Sequence, residues 1–177
     1  MDLPDTQLSR VIDPILSKIG QWTSWLWLAL MGIIVFNVVL RYAFGEGRIE
    51  FEEIQWHLYA CGFLLGLSYA YQGDNHIRVD VLHGRLSPRT QAWIELYGTT
   101  LLLLPFVAIV IIYSVPFVGA SFALGEVSQS PGGLAYRWAI KSVLPIGFVL
   151  LLLGALSRLS RVWCLLFGDN GEAHGAE

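Results

Sequence analysis

Residues 96–122 contain no Asp, Glu, Lys, Arg or His. A helix needs about 20 residues to cross a hydrocarbon core of about 30 Å, so this run is long enough to span and even to tilt. The rest of the chain agrees with it. Of 177 residues, 55% are hydrophobic and 14% are charged. A soluble domain of this size carries nearly twice that share of charge. The fold class is therefore all-α integral membrane.

Four segments reach membrane length, at about residues 22–44, 54–71, 93–122 and 138–156, the last with room to extend through Phe167. Residues 1–21 are amphipathic instead. Leu3, Leu8, Val11, Ile12, Ile15, Leu16 and Ile19 recur at near-helical spacing between Arg10, Asp13 and Lys18. With Pro14 in a first turn, a short helix from about Asp13 would lie on the membrane. The first span is too long for a cleavable signal peptide, and no small-x-small cleavage site follows its core. Residues 168–177 are Gly-rich and polar and read as a disordered tail. Trp22, Trp25 and Trp27, and then Trp56, Trp93, Trp138 and Trp163, fall near span ends. That is the headgroup level that amphipathic rings prefer.

Lys and Arg counts set the orientation. Arg10, Lys18, Arg78, Arg85, Arg89, Arg158 and Arg161 fall on the side of both termini, against Arg41, Arg48, Arg137 and Lys141 on the other. Both termini are expected in the cytoplasm.

Charge next to lipid needs a partner or a job. Arg41 closes the first span, and Glu52 and Glu53 open the second, so the hairpin should pair them at the outer interface. Glu53 and His57 lie one helical turn apart and could form a proton or ion site. Such a site needs a path, and residues 58–71, 96–122 and 143–156 offer no Asp, Glu, Lys, Arg or His to build one. A structural role in the hairpin or in subunit docking fits better. Asn37 lies four residues before Arg41, on the same helical face, and calls for an interhelical hydrogen bond. Gly62 and Gly66 have the spacing that permits close helix approach. His76, Arg78 and Asp80 form a charged turn after the second span. Pro105, Pro116 and Pro145 bend helices.

Several functions are disfavoured. Net charge −3 gives no reason to expect nucleic-acid binding. Cys61 and Cys164 have neither metal-ligand nor disulfide spacing and read as packing residues. A haem site needs two His at similar depth on facing helices, and only His57 lies on a span. No phosphate loop or nucleophile elbow is present. The reading is no enzyme, no cofactor and no metal. A proton-coupled four-span exporter using Glu53, or a membrane anchor for a redox enzyme, are the alternatives to a scaffold.

The ordered set Asn37-Val38-Val39-Leu40-Arg41-Tyr42-Ala43-Phe44, Glu52-Glu53, the Gly62 region, His76-Ile77-Arg78-Val79-Asp80-Val81-Leu82, Ser130-Pro131, Trp138 and Pro145-Ile146-Gly147-Phe148 resembles the small membrane subunit, or Q component, of tripartite ATP-independent periplasmic (TRAP) transporters. The resemblance covers about residues 22–159. It implies a non-catalytic scaffold in the bacterial inner membrane. The implied partners are a large membrane subunit (M component), which moves substrate with sodium, and a periplasmic substrate-binding protein (P component), which delivers an organic acid. Asn37, Arg41, Glu52, Glu53, His57, Gly62 and Gly66 are then expected at helix and subunit contacts, with His76, Arg78 and Asp80 in the cytoplasmic loop.

Overall fold

The computed structural model describes residues 3–73 and 86–168. These form helices α1 (Gln7–Ala43), α2 (Ile49–Gln72), α3 (Pro88–Gly98), α4 (Leu104–Ala123) and α5 (Arg137–Phe167), with a π-helical turn, Thr99–Leu103, joining α3 to α4. The described residues contain no strand. The all-helical expectation holds. The charged turn holding His76, Arg78 and Asp80 and the tail after Gly168 lie outside the described residues.

Helix α1 differs from expectation. The short helix anticipated from about Asp13 and the span anticipated from about Trp22 are one uninterrupted helix of 37 residues. At 1.5 Å per residue it is about 55 Å long, well beyond one bilayer crossing. It starts at Gln7 because Thr6 and Ser9 form a capping box, each side chain accepting from the other's backbone N–H. Pro14 sits inside it, with no cis peptide bond. Its first turns are fastened to α5, which offsets the hydrogen bond that a proline removes. Ser157 donates to Asp13 Oδ1 at 2.6 Å, and the Thr6 and Ser160 hydroxyls are 2.8 Å apart. Arg161 donates to the Leu3 carbonyl at 3.0 Å and pairs with Asp13 Oδ2 at 3.5 Å.

Helix α5 is the hub. It contacts α1, α2, α3 and α4, whereas α1 and α2 pair with each other as a hairpin. In its most apolar stretch 28% of residues are buried, against 11% in the corresponding stretches of α1 and of Pro88–Ala123. A small apolar core of Val107, Phe148 and Leu151 joins α4 to α5. The closest backbone approach is at Gly147, where an added Cβ would lie 2.7 Å from the Leu64 carbonyl oxygen of α2. Any larger residue there would push α2 and α5 apart.

Most large apolar side chains face outward, among them Leu102, Ile112, Tyr113 and Leu124. The interior instead holds Ser9, Thr23, Ser68, Thr99, Ser114, Ser121 and Ser157. In water such a surface would aggregate. In lipid it is the ordinary arrangement, with small and polar residues between helices and apolar residues outside. Three helices are long and apolar enough to cross a membrane: α1, the α3–α4 run and α5. Helix α2 has the length, at 24 residues. Its first half carries Glu50, Glu52, Glu53, Gln55 and His57, and it is not among the three.

One ionic node holds three helices together near the ends of α2 and α5. Arg158 on α5 bonds the Glu95 carboxylate of α3 through Nε and, at 3.2 Å, through Nη2. Its Nη1 donates to the Tyr71 carbonyl at 3.4 Å, and the guanidinium carbon lies 5.7 Å from the Tyr71 ring. That carbonyl belongs to the last turn of α2, where a helix has unpaired acceptors and a partial negative charge. The Tyr71 hydroxyl lies 3.1 Å from Thr99 Oγ1, at the start of the π-turn. The turn widens just before Pro105, which has no N–H and whose ring crowds the preceding turn. The Leu104 N–H closes it by donating to the Thr99 carbonyl.

The Arg158 and Glu95 side chains are 9% and 11% exposed, which places the pair among buried ion pairs. Removing one partner strands a buried charge at a cost of about 3–5 kcal/mol, whereas replacing both by apolar residues costs far less. Glu95→Ala and Arg158→Ala should each lower the midpoint of thermal unfolding in detergent, followed by Trp fluorescence. The joint Glu95→Leu, Arg158→Met variant should lose much less than the sum. Additive losses would show that the two side chains do not depend on each other.

Candidate functional site

The turn of the α1–α2 hairpin gathers most of the residues singled out in the sequence. Arg41 is in the last turn of α1, and Glu50 and Glu52 are in the first turn of α2. Both placements suit the helix dipoles. Arg41 Nη2 lies 2.7 Å from Glu52 Oε1, with the two side chains 57% and 44% exposed. A rim pair this wet contributes about 0–1 kcal/mol. It fixes which of the two adjacent carboxylates faces α1, and leaves Glu53 free to turn the other way.

Glu53 turns beneath the loop between α4 and α5. One oxygen accepts from the Ser128 hydroxyl and the other accepts from the Leu134 N–H at 2.6 Å. The loop is shaped for this. The Ser128 N–H donates to the Leu134 carbonyl at 3.1 Å, and the Gly133 N–H to the Ser130 carbonyl at 2.9 Å. Gly132 takes a φ of +80°, a region that glycine enters without strain. At Gly133 a Cβ would lie 2.4 Å from Ser128 Cβ and 2.9 Å from Glu53 Oε1. The Ser-Gln-Ser-Pro-Gly-Gly stretch is thus a cradle that grips a carboxylate of another helix. The pairing expected of both Glu52 and Glu53 with Arg41 divides: Glu52 takes the arginine and Glu53 takes the loop.

The loop has a second anchor. Lys141 bonds the Glu126 carboxylate and sits 4.3 Å from the Phe117 ring centre. The Lys141 hydrogen bond holds the Glu126 carboxyl below its ordinary range. A lowered carboxylate pKa stabilises the fold above the unfolded value, near 4.5, and that stabilisation is lost as pH falls through the folded value. The loop should therefore loosen only in acid, and less so in Glu126→Gln.

His57 lines a recess of about 280 Å³ with Glu52, Glu53, Trp56, Ser130 and Arg137. It makes no hydrogen bond among the described residues. Asn37 lies elsewhere, on the floor of a groove of about 410 Å³ between α1 and α2. Arg41 and Glu52 stand at its mouth, and Trp56 and Tyr59 along its side. Asn37 is 8% exposed, and its Oδ1 has no hydrogen-bond partner. Gln55 shares the groove, and its buried Nε2 is equally without a partner. Sequence reasoning passed over Gln55. Its position three residues after Glu52 and four before Tyr59 would have placed it on the face turned to α1. Gly62 packs at 3.2 Å, measured from an added Cβ, on the Trp27 ring. Gly66 has open space where a Cβ would go, so within this chain only the first glycine of the pair meets another helix. The described residues hold no cluster of three or more potential metal ligands.

The two glycine environments give a matched test. Gly133→Ala overpacks the cradle and should cost about 1–3 kcal/mol in detergent, read by thermal unfolding. Gly66→Ala meets nothing and removes a helix-interior glycine, so it should be neutral or slightly stabilising. Equal effects at the two positions would contradict the cradle.

Comparison with known proteins gives the chain its relatives. Residues 30–165 match the family described as "Tripartite ATP-independent periplasmic transporters, DctQ component". A protein of Haemophilus influenzae described as "Putative TRAP transporter small permease protein" is 40% identical over 78 residues, covering 44% of this chain and 48% of its own. The matched stretch thus spans about half the length of that curated relative. The family match covers well over half of the chain, and it agrees with the helices and outward apolar surface described above. The chain belongs to the DctQ-component family of the tripartite ATP-independent periplasmic transporters.

Proposed function

We propose that this chain is a non-catalytic scaffold subunit of a secondary importer of organic acids. It crosses the inner membrane four times, α2 included, with both termini in the cytoplasm. It packs on a large permease subunit that carries substrate and sodium. The outer loop and the hairpin end help to receive a periplasmic substrate-binding protein.

The observation that carries this reading is where the ionisable side chains lie. Those that pair do so towards the two ends of the bundle. Arg41 takes Glu52, the outer loop takes Glu53, Lys141 takes Glu126, Arg158 takes Glu95 and Arg161 takes Asp13. Between these ends, residues 58–71, 96–122 and 143–156 carry no Asp, Glu, Lys, Arg or His. A carrier needs a titratable or ligating group part-way across, and charges inside a membrane are functional by default. Here these five contacts fasten one helix or loop to another. Glu53, the candidate for an exporter, already spends both carboxylate oxygens on the loop.

Assembly and transport should therefore fail together. Glu53→Ala leaves the part-buried Leu134 N–H without its acceptor, a loss of about 1 kcal/mol. Arg41→Ala removes only a rim pair, worth less than about 1 kcal/mol. The small and large subunits would be co-expressed and purified by a tag on one of them, then reconstituted with the binding protein. Recovery of the pair and substrate uptake should fall in parallel, more for Glu53→Ala than for Arg41→Ala. Normal recovery of the pair with lost uptake would make Glu53 a transport residue and overturn the scaffold reading.

A further inference from the structure

Five buried residues mark the inner face of the run from α3 to α4: Ala92, Thr99, Val107, Ser114 and Ser121. They are seven residues apart with one exception. Thr99 and Val107 are eight apart, and the π-helical turn, Thr99–Leu103, lies in that longer step. A seven-residue repeat keeps one face of a helix turned to its neighbour, so a step of eight carries one residue too many.

A second spacing shows what the extra residue does. Glu95 on α3 reaches Arg158 of α5, and Val107 on α4 packs with Phe148 and Leu151 of the same helix. Successive residues of a continuous α-helix turn by about 100°, so residues 95 and 107 would point about 120° apart. One of them would then turn away from α5. A π-turn closes its hydrogen bond over one more residue, here from the Leu104 N–H to the Thr99 carbonyl, and absorbs about one residue of rotation. That brings the two side chains to within about 40° of each other. The surroundings favour the wide turn. Pro105 has no N–H with which to reach the Leu101 carbonyl, so an ordinary α-turn cannot close there. Thr99, the first residue of the turn, meets the Tyr71 hydroxyl of α2 at 3.1 Å. Leu101 and Leu102 in its middle are exposed, so the bulge lies on the outward side.

We infer that the π-turn is a one-residue phase joint. It lets a single long helix be clamped to α5 at two levels, by the Glu95–Arg158 ion pair in α3 and by apolar packing in α4. Closed into a regular α-helix with no residue removed, the same sequence would rotate α3 by about 100° against α4. That rotation would take Glu95 off Arg158 and Thr99 off Tyr71. The inference goes beyond the scaffold reading and does not depend on it.

The test deletes single residues from the full chain and follows thermal unfolding in detergent. Deleting Leu102 removes the extra residue and leaves both clamps in phase along a regular helix. The midpoint should move by less than about 2 °C. Adding Glu95→Ala to the shortened chain should lower the midpoint as much as it does in the full chain, because the ion pair survives. Ile112 is also exposed but lies in the regular part of α4, between Val107 and Ser114. Its deletion turns Ser114 and Ser121 out of the interface and should lower the midpoint by about 6 °C or more. A loss on deleting Leu102 as large as that on deleting Ile112 would overturn the joint. So would a shortened chain in which Glu95→Ala has no effect. Two harmless deletions would show that packing does not depend on the phase of this helix, and would overturn the inference as well.

Discussion

The Arg158 guanidinium organises more of this molecule than any other group. It ties α5 to α3 through Glu95, and to α2 through the carbonyl and ring of Tyr71. In a protein whose outer surface is apolar, burial of apolar area does little to choose one helix arrangement over another, since lipid tails are as apolar as leucine. Polar contacts make the choice, because a wrong arrangement strands a buried charge. Gly147 and the small interior hydroxyls let the helices come close enough to use them.

The same logic runs at the opposite end with different parts. There the partner of a carboxylate is a loop. Glu53 is gripped by Ser128 and Leu134, and the loop is held a second time by Glu126 and Lys141. Helix α2 is therefore fixed at both ends, by the loop cradle and by Arg158. Between them residues 58–71 carry no Asp, Glu, Lys, Arg or His. In the scaffold proposed above, such a helix would form part of the frame against which another subunit moves.

Much of this was legible from residue order. The lengths of the apolar runs gave the helices, and Arg41 found a glutamate at the hairpin end. The union of the amphipathic start with the first span was not legible, because it depends on Asp13 and Thr6 meeting Ser157 and Ser160 about 150 residues away. The Glu95–Arg158 pair was missed for a similar reason. Each residue, taken singly, is a charge near a span end, and only the crossing of α3 over α5 brings them together. The choice between Glu52 and Glu53 was hidden in a loop whose Gly and Pro residues announced a turn but not what it would enclose.

The central claim is that these charges fasten helices and conduct nothing. Proton flux into liposomes holding the purified chain alone, under an imposed membrane potential and read by an internal pH dye, tests it most directly. The account predicts flux equal to that of empty liposomes. Flux above that level which Glu53→Gln abolishes would contradict it, and would make this residue in the first turns of α2 a proton carrier.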